Sequence, residues 1–297
     1  RLRCPYGRTT KRIRMNQILL SDCVSGMKTL GGESIDLCVT SPPYDDLRSY
    51  NDSSSWNFDT FKNVAAELYR VMKIGGVVVW VIGDATVKGS ETGSSFRQVC
   101  HFMDLGFLLH DTMIYEKNGS PFPAKRTGNR YSQIFEYMFV FSKKTKPKTA
   151  HLLCDKPNRW AGYTHFGKGT IRTKDGQLKD RQIKPIPEFS PRNNIWKYNT
   201  GKGYSTKDDV AFEHPAIFPE KLARDHILTW SDEGDLVLDP FMGSGTTAVC
   251  CLETKRKFIG FEIDETYHDI CTRRLEQHVT VEEASLPESN PLEDALY

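Results

Sequence analysis

No apolar run in the chain approaches eighteen residues. The longest, Val77-Val78-Val79-Trp80-Val81-Ile82, is strand-sized, which excludes a helical membrane span. There is no Cys-x-x-Cys pair. The eight cysteines are scattered at positions 4, 23, 38, 100, 154, 250, 251 and 271, so no zinc-ribbon or thioredoxin-like spacing exists and no other metal-ligand pattern stands out. Thiols set in apolar segments are expected to stay reduced, as in a cytoplasm. No Gly-Lys-Ser/Thr closes a glycine-rich loop, which removes a P-loop. The basic residues after Arg1 lead into no apolar stretch, so no secretory signal is expected, and the lack of a starting Met points to a natural start upstream. Internal repeats and low-complexity tracts are missing too. What is present suits an enzyme: 297 residues can bury a substantial core, and a 38% hydrophobic fraction is too high for a disordered chain.

Charge is unevenly spread. Between Ser142 and Lys207 there are sixteen Lys plus Arg against four Asp plus Glu, a local balance of +12 on a chain of net charge +2, which leaves −10 for the rest. The first fourteen residues hold six basic side chains and no acid, and the last seventeen hold five acids and no Lys or Arg. A basic block on a near-neutral protein marks either a polyanion-binding surface or a solvated lysine-rich loop.

The same block changes the grammar of the chain. Before it, Ile35–Thr40, Val77–Ile82 and Gln133–Phe141 read as strands, with helical patterns at Phe61–Met72 and Phe96–Leu105. After it come a helix over Pro219–Trp230, a strand at Leu236–Leu238, a helix over Thr246–Glu253 and a strand at Lys257–Ile263. Within it, Gly, Pro, Asn and aromatic residues alternate with Lys and Arg. The pattern predicts an α/β fold interrupted by a loop-rich insert. Five regions are expected: a basic arm over 1–14, a first half over 15–142, the insert over 143–208, a second half over 209–280 and an acidic tail over 281–297.

Two turns carry chemistry. The first lies in the segment Asp235–Ala248, strand then turn then helix, where Gly243 and Gly245 permit positive φ and close approach of backbone to a ligand. Nineteen residues after Gly243, Glu262 ends the next strand, where a carboxylate can accept hydrogen bonds from both hydroxyls of a ribose. Strand, glycine turn and acid make a nucleoside-cofactor site. Gly-x-Gly-x-x-Ala also matches the dinucleotide fingerprint, so an NAD-dependent oxidoreductase competes. Asp239 at the strand exit tilts against it, since a carboxylate suits a cofactor with a cationic amino group, such as S-adenosylmethionine.

The second turn, Ser41-Pro42-Pro43-Tyr44, follows the strand Ile35–Thr40. Two prolines forbid further pairing and fix a bend at the carboxyl end of the strand, where open α/β sheets place ligands. The turn offers a hydroxyl at Ser41, a carbonyl of locked direction at Pro42 and an aromatic face at Tyr44. Those groups suit a planar ring bearing an exocyclic NH₂.

Together, Thr40-Ser41-Pro42-Pro43-Tyr44 and Asp239-Pro240-Phe241-Met242-Gly243-Ser244-Gly245-Thr246-Thr247 resemble the S-adenosylmethionine-dependent DNA methyltransferases that modify exocyclic amino groups. The order of catalytic turn, recognition region and cofactor loop is similar to that of their β class. His214–Leu222 resembles the segment that packs on the methionine end of the cofactor, Asn16–Asp22 the one whose acid lies near the adenine, and Ile114–Asn118 with Asn129-Arg130 and Phe135–Phe141 the one shaping the target-base pocket. The match spans about Asn16 to Glu276 except the insert.

The resemblance implies a Rossmann-like methyltransferase fold with a doubly wound, mostly parallel sheet and permuted motif order. It implies Asp22, Phe218, Asp239, Pro240, Phe241, Gly243, Ser244, Gly245, Thr246 and Glu262 at the cofactor. It implies Ser41, Pro42, Pro43 and Tyr44 at the reacting amine, with Ser in the first motif position going mostly with cytosine N4 and Asp with adenine N6. Because that amine lies inside a duplex, the base must be flipped out. The partner is then double-stranded DNA, with Lys117, Asn118, Arg130, Arg159, Arg172 and Arg192 as contacts.

No cysteine follows a proline, so the thiolate that methylation at a ring carbon would need is missing. The setting is a bacterial or archaeal cytoplasm, as monomer or homodimer, with or without a cognate restriction endonuclease. Adenine-N6 methylation, methylation of RNA or of protein glutamine, and a DNA-binding module on an inactive fold stay open as alternatives.

Overall fold

The computed structural model describes residues 15–43, 56–119, 129–164, 169–180 and 184–285, with side chains as far as His278. Tyr44, the basic arm over 1–14 and the tail beyond 285 lie outside the described residues.

Eight strands form the main sheet: β1 Gln17–Leu20, β2 Ile35–Thr40, β3 Met72–Ile82, β4 Phe107–Lys117, β5 Phe135–Lys143, β6 Ile195–Tyr198, β7 Leu236–Asp239 and β8 Lys257–Glu262. Their order across the sheet is β1-β8-β7-β2-β3-β5-β4-β6. Only β5 runs antiparallel to the others. The helices are α1 Cys23–Met27, α2 Phe58–Val71, α3 Ser94–Asp104, α4 Glu220–Trp230, α5 Thr246–Glu253 and α6 Glu265–Ser285.

Local sequence explains these elements. Asn57 opens α2 by accepting hydrogen bonds from the Asp59 and Thr60 amides at 2.9 and 3.0 Å, satisfying donors that the helix cannot. Phe61, Val64, Ala65, Leu68 and Val71, at helical spacing, bury one face of it. Met72 turns to an extended conformation and begins β3 with no intervening loop.

The pleat of β3 sorts its side chains between two cores. Val78, Trp80 and Ile82 join the cluster under α1, α2 and α3, whereas Val77, Val79 and Val81 join the one under α4 and α5. Helices on both faces of a mostly parallel sheet make a Rossmann-like α/β fold.

From β7 the chain runs through α5 to β8 in one direction, while from β2 it runs through α2 to β3 in the other. The strand order therefore reverses between β7 and β2, and a crevice opens outside their carboxyl ends. Open α/β sheets bind ligands at such a switch point. Ser41 follows β2 there, and Asp239 ends β7.

The insert differs from its expected texture. It contains three-residue and two-residue ribbon strands at Thr170–Arg172, Leu178–Asp180, Lys156–Pro157 and Phe189–Ser190. It also supplies β6, which pairs in parallel with β4. The interruption at 143–208 thus rejoins the sheet before it ends.

Candidate active site

A cavity of about 1190 Å³ lies at the switch point. Its lining brings together Asp22, Ser41, Pro43, Lys117, Asn118, Phe218, Asp239, Pro240, Phe241, Gly243, Ser244, Thr246 and Glu262, residues up to 240 positions apart that the sequence motifs single out. That volume exceeds the usual small-ligand range and can hold a nucleoside cofactor with a second planar ring.

Asp239 fastens the two central strands. It accepts hydrogen bonds from the Thr40 hydroxyl at 2.6 Å, the Phe241 amide at 3.0 Å and the Thr247 hydroxyl at 2.7 Å. It is 5% exposed, and burial pushes its carboxyl above the usual carboxylate range despite these bonds. Every one of these partners is neutral. A buried carboxylate without a positive partner is poorly compensated, and a cationic group bound in the adjoining cavity would correct that.

Glu262 shapes the glycine turn. Its Oε2 accepts from the Gly243 amide at 2.8 Å, and its Oε1 accepts from the Ile263 and Asp264 amides, both at 3.0 Å. Burial is again the leading cause that pushes this carboxyl up. Two acceptor sites on one oxygen are filled and one on the other, so Oε2 retains capacity for a ligand hydroxyl.

The glycines are required by space as well as by angle. Gly245 has φ of +83°, and a Cβ there would sit 2.4 Å from the Cys271 sulfur. Gly243 has φ of +51° and packs on His214, whose ring would be 3.3 Å from an added Cβ.

Arg274 of α6 had no signal in the sequence beyond a basic pair on a helix. Its side chain is fully buried, and it donates to Asp208 at 2.8 Å, the Ser244 carbonyl at 2.9 Å, the Thr246 hydroxyl at 3.1 Å and Thr206 at 3.2 Å, and pairs with Glu220. One guanidinium thus joins the glycine turn, the start of α4 and the end of the insert.

The remaining expected residues fall in several places. Asp22 lines the cavity while capping α1, accepting from the Ser25 amide at 2.9 Å. Pro42 is buried behind the turn, and Gly245 is the N-cap of α5. Lys117 bonds Glu136 at 2.5 Å, and Asn118 accepts from the amide and hydroxyl of Thr200, both at 3.1 Å.

The arginines expected at DNA do not join the cavity lining. Arg130 reaches the Gly89 carbonyl and lies 3.7 Å from Glu91. Arg159 stacks over Trp160 at 5.4 Å, and Arg172 lies on an exposed ribbon. Arg192 is committed inward, at 2.5 Å from Asp155 and 2.6 Å from Asp225, so its guanidinium ties the insert to α4.

Fold and site together place a two-proline turn beside a glycine loop at the switch point of a Rossmann-like sheet, the setting of a nucleoside-cofactor enzyme. The model of the N6/N4 methyltransferases, described as DNA methylase, matches residues 35–273, and the chain belongs to that family. It is 56% identical over 253 residues to orphan methyltransferase M.BamHII of Bacillus amyloliquefaciens, covering 85% of this chain and 92% of the relative.

Among solved structures, PvuII DNA methyltransferase (cytosine-N4-specific) is similar with a TM-score of 0.63 at 20% identity, covering 90% of this chain and 91% of that one. The SAM complex of M1.HpyAVI is also similar, with a TM-score of 0.53 at 21% identity, over 87% of this chain and 98% of that one. Family membership removes the oxidoreductase alternative.

Proposed function

We propose that the protein transfers the methyl group of S-adenosylmethionine to the N4 amine of a cytosine flipped out of double-stranded DNA at a specific site. The observation that carries the reading is the meeting, at one switch point, of the Ser41 turn with Asp239 and Glu262. The family supplies DNA amino-methylation, and Ser rather than Asp at position 41 selects cytosine N4 over adenine N6.

Asp239 would hold the cationic amino group of the cofactor, Glu262 its ribose, and Phe218 and Phe241 its apolar flanks. The sulfonium supplies an already activated methyl group. The protein therefore contributes alignment and exclusion of water. Ser41 and the Pro42 carbonyl accept the two N–H bonds of the amine, drawing its lone pair out of conjugation and toward the methyl carbon. Bound there, S-adenosylmethionine would supply its methyl group to that nitrogen, its sulfur keeping the electron pair of the broken bond, and the nitrogen would give up one proton. Tyr44 stacks on the base.

No thiolate is needed. Five of the seven described cysteines are buried, and Cys23, the one that lines the cavity, has its thiol pushed up to about 12 chiefly by burial. The insert presents Arg159 and Arg172 to phosphates or base edges.

The test is nucleoside digestion and mass spectrometry of DNA from an expressing host, with sequencing that reports base and position. N4-methylcytosine is expected. N6-methyladenine would move the target to the runner-up reading within the same family and leave the mechanism intact, whereas 5-methylcytosine would overturn the mechanism.

A further inference from the structure

Trp56 stands outside every sequence motif, one residue before the cap of α2, and yet it lines the large cavity. It is half-buried, as is Phe241, whose ring centre lies 5.3 Å away with the two planes at 89°. Trp80 backs the pair. It is fully buried, its indole donates to Gln98 at 2.8 Å, and its ring centre is 6.2 Å from that of Phe241. Rings that meet edge to face make a corner, and the ring that offers its edge keeps its own faces for a third group.

Hydrogen bonds fix where this corner stands. Asp239 Oδ1 accepts from the Phe241 amide at 3.0 Å and from the Thr40 hydroxyl at 2.6 Å, so Phe241 adjoins the residue that precedes Ser41. The covalent structure of the cofactor does the rest. Its sulfur joins three arms: the methyl group, the ribose and the chain that ends in the amino group. With the amino group at Asp239, the ribose at Glu262 and the methyl group directed at Ser41, the sulfonium lies among these three, and Phe241 and Trp56 line the same cavity beside them. A sulfonium has no N–H to donate. Aromatic faces attract such a cation through their quadrupole, Trp most strongly, within about 6 Å of the ring centre.

We propose that Trp56 and Phe241 recognise the sulfonium charge of S-adenosylmethionine and so make the site prefer the cofactor to its demethylated product, an assignment that rests on the cofactor placement proposed above. The product keeps the ribose and the amino group, but its sulfur is neutral. Asp239 and Glu262 therefore hold both molecules alike. The aromatic corner tells them apart, and its attraction lapses once the methyl group has gone.

The test is calorimetric titration of the full chain with S-adenosylmethionine and, separately, with S-adenosylhomocysteine. Trp56→Leu should lose about fivefold more of its affinity for the first than for the second. Fluorinated tryptophans placed at position 56 keep the shape of the ring and drain electron density from its faces. Affinity for S-adenosylmethionine should fall with each added fluorine while that for the product stays level, and this series decides should Trp56→Leu fail to fold. Equal losses for the two ligands would reduce Trp56 to packing and overturn the assignment. Asp239→Asn separates a wrong corner from a wrong placement, since it should weaken both ligands alike. If it does so and the position-56 variants discriminate nothing, the placement stands and the corner falls. If Asp239→Asn leaves both affinities unchanged, the placement falls and takes the corner with it.

Discussion

The glycine turn and the basic insert handle charge in opposite ways. Around the turn, Asp239, Glu262 and Arg274 are buried and spend their hydrogen bonds on the protein itself. In the insert, Arg159 and Arg172 stay at the surface on short segments, and Arg192 with β6 anchors the rest. Charge committed inside fixes a loop before its ligand arrives, which is preorganisation. Charge left outside is available to a polyanion and adds nothing to the fold.

The sharpest way to break that contrast is Arg274→Ala. It strands Glu220 without its cation and leaves Asp208 with His278 alone, and losing one partner of a buried pair typically costs about 3–5 kcal/mol. Chemical denaturation should read a loss of that size together with weakened cofactor binding. A loss no larger than that of an insert arginine would mean the hub does not hold the turn.

Ser41→Ala comes next. Removing one acceptor from the reacting amine should lower turnover about ten- to hundredfold. The calorimetric affinity for S-adenosylmethionine should stay within about twofold, because the proposal assigns Ser41 to the reacting amine and not to the cofactor. Unchanged turnover would remove Ser41 from the chemistry.

A smaller effect follows from pH. The carboxyls of Asp239 and Glu262 are both pushed up by burial, and on the proposed reading their ionised forms are the ones that hold the cofactor. As pH falls from neutral through these raised values, both groups protonate and cofactor affinity should decline, beginning at a higher pH than an ordinary carboxylate would give. Asp239→Asn should bind more weakly at neutral pH and show a flatter profile. A wild-type affinity that stays level down to the ordinary carboxylate range would contradict the role given to both acids.

The smallest effects belong to the insert. Arg159→Ala and Arg172→Ala should each change stability by no more than about 0.5 kcal/mol. Each should lower the slope of log affinity for DNA against log salt by roughly 0.9 if it neutralises one phosphate. A loss of stability without a change in slope would place these arginines with Arg192, among the structural anchors.

Sequence patterns carried the centre of the molecule but not its edges. The strand preceding Ser41, the unit from β7 to β8, and helices α2 to α5 are marked by continuous apolar runs, helical spacing and glycine turns, all of which are local. β1 and β6 are as short as β7 but have no glycine turn beside them to mark their ends, and they are strands because β8 and β4 pair with them. β4 mixes buried and exposed positions with polar residues such as His110 and Asp111, which hides its alternation. The same limit applies in the site. Asp239, Glu262 and Ser41 sit in motifs, whereas Arg274 gains its role only by packing, and the Asp155 and Asp225 partners of Arg192 are invisible from its neighbours in the chain.

The edge pairing of β1 also sets a timetable for the chain's birth. The amide of Phe258 bonds the side chain of Asn16, 242 residues earlier, and β1 touches the sheet only through β8. At about 5–20 residues per second, a ribosome spends roughly 12–50 seconds between making the two. Throughout that wait the apolar strand Gln17–Leu20 has no ladder to join and is open to foreign strands. The Ser41 turn waits as well, since Thr40 gains its tie to Asp239 only when β7 pairs with β2. A strand made early, β1, is thus among the last of the described strands to find its place.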